Sequence, residues 1–249
     1  MNLNHSVKFS QYFDEVFEKR KINFLVLHHI QADSVQHALD QLYNHQVSAH
    51  FLIDDQGNVF ELVEENNIAY HAGVSYWQGV NGLNKNSIGI ELISKEPFQI
   101  GFSDMQMDSL VLLCRNLINK YLIPVKNIVG HSDIAYFNDN ELLDRKQDPS
   151  HLFNWEYLAK NGIGIFPKIT NLLCSDRVLH SLNDIDPDIS RNKLRLKNFG
   201  YKITNLSNVF DYEMQSLVRV FNRRFNPKKY QENPDLWYLS SQLILNKLV

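Results

Sequence analysis

Phe24-Leu25-Val26-Leu27-His28-His29 is the stretch on which the reading of this chain turns. Four apolar residues in a row, rich in strand formers, suit a buried strand, and its end delivers two imidazoles to one place. A helical pattern follows, with Val35, Ala38, Leu39 and Leu42 on one face and Asp33 and Ser34 ahead of it as candidate caps. A buried strand followed by an amphipathic helix opens an α/β layer arrangement.

Working outward, His50-Phe51-Leu52-Ile53 and Val59-Phe60-Glu61-Leu62 flank Asp54-Asp55-Gln56-Gly57-Asn58, a hairpin signal. Ser87-Ile88-Gly89-Ile90-Glu91-Leu92 is a further strand candidate. From Ser103 onward, Met107, Leu110, Val111, Cys114, Leu117, Ile118 and Tyr121 mark one face of a long helix, and Ser103 and Gln106 have the spacing of a capping box. Ile128-Val129 is a brief strand leading into His131. The expected fold is therefore α/β, a mixed central β-sheet flanked by helices, over residues 1–167. Beyond Gly162-Ile163-Gly164 the pattern changes. Leu194, Leu196 and Phe199, then Met214, Leu217, Val218 and Phe221, then Leu236, Leu239 and Leu243 form three short helical stripes. They predict a small three-helix domain over residues 175–249.

The 249 residues are 44% hydrophobic and 21% charged, ordinary values for a soluble globular chain, and the formal net charge of −3 offers no basic field for nucleic acid. No apolar run is long enough to span a bilayer, and Met1-Asn2-Leu3-Asn4-His5 lacks a basic-then-apolar export pattern. Of two cysteines, Cys114 falls on the apolar helical face and reads as core; a bridge to Cys174 does not follow from sequence.

Ten histidines are present, several at strand ends. The sharpest cluster is Arg145-Lys146-Gln147-Asp148-Pro149, reached after Gly130-His131-Ser132-Asp133. With His28 it offers two imidazoles and a carboxylate, and three protein ligands with an open position for water make a catalytic zinc site. Taken singly these residues decide nothing: a strand-end histidine is commonly a satisfied core group, and Arg-Lys-x-Asp is commonly a solvated turn.

The order of the segments carries more. Phe24 to His29, Ser48-Ala49-His50-Phe51, Ala69-Tyr70-His71-Ala72-Gly73-Val74-Ser75-Tyr76-Trp77, Asn84-Lys85-Asn86-Ser87-Ile88-Gly89-Ile90-Glu91, Gly130 to Ala135 and Arg145 to Pro149 are collinear. Together they resemble the type 2 N-acetylmuramoyl-L-alanine amidases, the family that includes T7-type lysozymes and peptidoglycan recognition proteins. The resemblance implies one zinc ion per chain held by His28, His131 and Asp148, with Glu91 as general base and Lys146 stabilising charge on the oxygen of the tetrahedral intermediate. Amide hydrolysis needs those three provisions. Lys146 and Asp148 lie two apart, so in an extended segment both face one cavity. His29 rivals His28; on a strand the two point to opposite faces, and the family pattern favours His28. His50, His71 and Trp77 read as pocket wall or substrate contacts, with simple packing the alternative for His50 and Trp77.

The implied substrate is peptidoglycan or a muropeptide, with ordinary or 1,6-anhydro muramic acid. That substrate points to the cell envelope, while the missing export pattern leaves a cytoplasmic recycling role open. Tyr136 to Leu143 looks inserted where the family has a shorter turn, the proline after Ala135 is absent, and Ser150 stands where glycine is usual. No proposed site residue is missing, which favours a working enzyme over a non-catalytic recognition protein; a zinc hydrolase of another amide on the same scaffold stays open. Lys193 to Tyr201, Asn208 to Asp211 and Val220 to Phe225 resemble a three-helix peptidoglycan-binding module, with Asn205-Leu206-Ser207-Asn208 in place of its Asp-Gly turn and Asn222 in place of its glutamine. An amidase followed by such a module is similar to the AmiD-type enzymes.

Overall fold

A computed structural model describes residues 10–136, 144–169 and 175–249. The first half runs β1 (Phe13–Asp14), β2 (Phe24–Gln31), α1 (Val35–Asn44), β3 (Phe51–Ile53), β4 (Val59–Glu61), β5 (Ile68–Ala69), β6 (Tyr76–Trp77), β7 (Val80–Asn81), β8 (Ser87–Ser94) and α2 (Asp104–Tyr121). The second runs β9 (Ile128–Gly130), α3 (His131–Ile134), α4 (Trp155–Lys160), β10 (Val178–His180), α5 (Pro187–Phe199), α6 (Tyr212–Phe225), α7 (Pro227–Glu232), β11 (Trp237–Tyr238) and α8 (Leu239–Leu248). Two compact units form: Met1–Gly73 with Gly82–His131 and Asp148–Ile165, and Val74–Asn81 with Ser132–Gln147 and Phe166–Val249. They interleave along the chain.

The first unit is built on a five-stranded mixed sheet of order β4-β3-β8-β2-β9. β2 runs parallel to β8 and β9, β3 parallel to β8, and β4 closes an antiparallel hairpin with β3. Leu25, Val26, Leu27, Ile88 and Ile90 are fully buried. That is why these strands read as unbroken apolar runs: a parallel strand covered on both faces has no wet side to mark by alternation. Ala38 and Leu42 of α1 join Leu52 and Ile93 of the sheet, and Leu62 just past β4, in one apolar cluster.

Ser34 caps α1 by accepting the His37 N–H at 3.2 Å, and Ser103 caps α2 by accepting the Gln106 N–H at 3.1 Å. The reciprocal half of the expected capping box does not form. Gln106 instead donates to the carbonyls of Ile53 (3.0 Å) and Ile93 (2.9 Å), tying α2 to two strands. Cys114 is buried in α2, and burial pushes its thiol up beyond easy ionisation. Cys174 lies outside the described residues.

In the second unit α6 buries the expected Met214, Leu217, Val218 and Phe221, while α5 buries Leu196 and Phe199 but leaves Leu194 exposed, and α8 buries Ile244, Leu245 and Leu248 in place of the expected Leu236, Leu239 and Leu243. A ribbon between β10 and β11 was not legible in sequence, because two- and three-residue strands carry no periodicity. Asp186 caps α5 and Asp211 caps α6. Gly200 ends α5 at φ +147, where a Cβ would strike the Trp77 ring, so only glycine fits. Among the described residues no helix is long and apolar enough to cross a membrane.

Candidate metal centre

Parallel pairing of β2 with β9 sets Leu27 beside Gly130, so the next residues, His28 and His131, come out side by side. Asp148 joins them from an irregular stretch ahead of Pro149. His28 Nδ1 stands 3.1 Å from His131 Nδ1 and 3.0 Å from Asp148 Oδ2, and His131 Nδ1 stands 3.1 Å from the same oxygen. His28 and His131 are buried.

The far side of each ring decides what those atoms are. The single hydroxyl proton of Ser87 goes to the Leu83 carbonyl at 2.7 Å, so Ser87 Oγ accepts from His71 Nε2–H at 3.1 Å. Burial, with the charge of Arg20, holds His71 below its usual pKa, and a neutral ring donating from Nε2 presents its Nδ1 as an acceptor. His28 Nε2–H therefore donates to His71 Nδ1 at 3.1 Å, which leaves His28 Nδ1 bare. His131 Nε2–H donates to the Ala72 carbonyl at 3.3 Å, which leaves its Nδ1 bare as well. Asp148 as a carboxylate can only accept, so its Oδ2 is a third acceptor beside them. Three acceptors 3.0–3.1 Å apart need a positive centre among them, a proton or a metal ion.

The donor set fits zinc. Nitrogen and oxygen ligands sit about 2.0–2.2 Å from that ion, so tetrahedral neighbours stand about 3.4 Å apart, a few tenths of an ångström wider than found here. Among the described residues this is the one such group of His, Cys, Asp or Glu side chains.

Glu91 pairs in register with His28 on the adjoining strand, its Oε1 3.9 Å from His28 Nδ1. Lys146 is half-buried in the irregular stretch before Asp148. His29 turns the other way, its ring 5.4 Å from that of Phe98. Of the three expected substrate contacts, His71 stands behind His28 as described. His50 is fully buried: its Nδ1 accepts the Gly89 N–H at 3.0 Å, and its Nε2 stands 2.7 Å from Arg20 Nη2 and 3.1 Å from the Asn67 carbonyl. Trp77 is fully buried edge-on to Phe199 and Tyr201, at 5.7 and 5.0 Å. Both side chains are engaged in the protein's own packing. Most of the inserted stretch after Tyr136 lies outside the described residues.

Three residues to which sequence assigned no role hold this arrangement. Asn84 Oδ1 accepts both the His71 N–H (3.2 Å) and the Ala72 N–H (2.7 Å), fixing the segment that supports the two rings. Ser87 anchors His71. Arg20 donates to the carbonyls of Glu65, Asn84 and Ser87 at 2.8–3.0 Å. Burial brings its guanidinium down to about 10 against the pull of Tyr121 and Glu65, so it stays charged. Gly89 is required because a Cβ there would run into the His71 ring.

A mixed sheet that aims two imidazoles and a carboxylate at one point, with a glutamate beside them, defines a class: α/β proteins with a candidate three-donor metal site of hydrolase type. The particular family follows from comparison. Residues 18–151 match the family model described as N-acetylmuramoyl-L-alanine amidase, and the chain belongs to that family. It is 30% identical over 231 residues to the N-acetylmuramoyl-L-alanine amidase AmiD of Escherichia coli, covering 86% of this chain and 79% of that one. Its fold is similar to the solved complex of E. coli AmiD with anhydro-N-acetylmuramic acid-L-Ala-D-γ-Glu-L-Lys, at TM-score 0.74 and 27% identity over 96% of this chain and 97% of the other. It is also similar to AmpDh3 of Pseudomonas aeruginosa in complex with anhydromuramic pentapeptide, at TM-score 0.69 and 25% identity over 97% and 96%.

Proposed function

We propose that this amidase uses one zinc ion per chain to hydrolyse the amide between N-acetylmuramic acid, its 1,6-anhydro form included, and L-alanine in peptidoglycan or released muropeptides. The observation that carries the proposal is the convergence of three bare acceptors, His28 Nδ1, His131 Nδ1 and Asp148 Oδ2, within 3.1 Å of one another. Zinc held there would supply Lewis acidity and bring the pKa of a water toward about 7. Glu91, beside His28, accepts the proton of the attacking water and returns it to the leaving nitrogen. Lys146 places positive charge near the oxygen that becomes anionic. The likeness to two amidases solved with anhydro-muropeptides, each over almost the whole chain, supports the substrate class. In this reading residues 1–167 are the catalytic domain and residues 175–249 a peptidoglycan-binding-like helical domain.

Mass spectrometry of defined muropeptides, in ordinary and anhydro form, incubated with zinc-loaded protein tests the proposal. Free stem peptide is expected from both forms. Glu91→Gln should keep one zinc while turnover falls by about 10²-fold or more. Muropeptide binding without peptide release at any zinc level refutes the activity.

A further inference from the structure

We propose that His71 is a positioning residue for the metal centre: through its hydrogen bond it locks His28 in the tautomer whose Nδ1 lone pair faces Asp148 and His131. The inference rests on the zinc reading above and adds to it the residue that makes His28 a ligand through one nitrogen and not the other.

A neutral imidazole carries its proton on either nitrogen, and nothing in a strand position chooses between them. Here the choice is made by a chain of polarity that starts at backbone. The Leu83 carbonyl can only accept, so Ser87 donates to it; Ser87 then accepts from His71, and His71 accepts from His28. Each link runs one way, and the sequence ends with the His28 proton on Nε2. The chain is held rigidly. His71 and Ala72 hang by their N–H groups from Asn84 Oδ1, and Ser87 is fully buried in β8. The absence of a side chain at Gly89 gives the His71 ring its place over the strand. The Ala72 carbonyl gives His131 the same tautomer, so one dipeptide, His71-Ala72, orients both imidazoles.

Hydrogen-bond partners behind metal-bound histidines are worth about 10–100-fold in metal affinity. In His71→Phe, which keeps ring bulk and removes the acceptor, zinc measured by competition with a chromophoric chelator should bind about 10–100-fold more weakly. In the cadmium-113-loaded, nitrogen-15-labelled protein, wild type should show metal–nitrogen coupling to His28 Nδ1, and His71→Phe should lose it or divide it between the two nitrogens. His71→Asn, whose Oδ1 can replace Nδ1 as acceptor, should recover most of the affinity and the single coupling. Ser87→Ala, which frees the His71 tautomer, should show a smaller loss of the same kind. A residue that merely filled space would lower thermal stability and leave the coupling untouched. Wild-type affinity and coupling in folded His71→Phe, or in Ser87→Ala where the phenylalanine variant does not fold, would overturn the inference. A wild-type protein that takes up neither zinc nor cadmium would instead end the metal reading itself.

Discussion

Asp144 and Arg223 form an ion pair inside the helical unit, their side chains 11% and 1% exposed. Arg223 also faces Tyr230, with the ring centroid 5.0 Å from the guanidinium carbon. Burial would lower Arg223, but Asp144 and Tyr230 hold it above its ordinary value. The two possible truncations of this pair differ in what they leave behind. Arg223→Met leaves a carboxylate, which can escape by taking up a proton. At pH 7 that escape costs about 1.36 kcal/mol for each pH unit above an ordinary aspartate pKa of about 3.9, so the loss is capped near 4 kcal/mol. Asp144→Asn leaves a guanidinium with no such escape, and breaking a buried pair from that side costs about 3–5 kcal/mol. At about 2–4 °C per kcal/mol for a chain of this size, Arg223→Met at 3–4 kcal/mol should lower Tm by roughly 6–16 °C. Urea unfolding of chelator-treated proteins measures both deficits. A deficit under about 1 kcal/mol for either variant would refute the reasoning.

Two further outcomes follow from the neighbourhood of the site. Burial, then Arg20, push His50 down to about 3, so between there and the unfolded value near 6.5 the unfolded chain holds the extra proton. Its contribution to stability is complete above about pH 6.5 and is lost as pH falls, by about 2 kcal/mol at pH 5; urea midpoints should show this slope and His50→Asn should flatten it. Zinc at about 1,000 times its Kd should stabilise the protein by about 4 kcal/mol, and a chelator should remove that stabilisation and the activity together. An unchanged Tm on chelation would count against the metal centre.

The sequence carried the site where chemistry needs a fixed side chain at a fixed strand position. The apolar runs put His28 and Glu91 on two buried strands, the amidase resemblance implied their roles, and the parallel register of those strands sets them side by side. His131 could be placed because Ile128-Val129 points at it. The supports could not be read in the same way. Asn84 works through two backbone N–H groups, Ser87 through one carbonyl, and Arg20 through three carbonyls from distant stretches. Bonds to backbone leave no residue-type signature at the far end, so no spacing reveals them. His71 shows the same gap from the other side. Its position beside Gly73 was visible, but whether its ring faces a ligand or another histidine depends on Gly89, whose missing side chain takes meaning only in three dimensions. Gln106 had the spacing of a cap and spends its amide on two strands instead.

The centre also explains why its surroundings are so heavily bonded. Three acceptors facing one another at 3.0–3.1 Å repel, and the simplest relief would be for one imidazole to turn its N–H inward. The fold forbids that relief: His71 takes the outer proton of His28, and the Ala72 carbonyl takes that of His131. A free histidine would lose nothing by turning; these would each abandon a buried partner, at about 1–3 kcal/mol for the group left unsatisfied. The repulsion is thus kept in the native state, and a positive centre is what removes it. An added proton can do so only by making an imidazolium or a carboxylic acid in a buried place. A divalent ion does so with every existing hydrogen bond intact. On the proposed zinc reading, a preference for metal over proton would lie less in the three side chains that meet there than in Ser87, His71, Ala72 and Asn84 behind them.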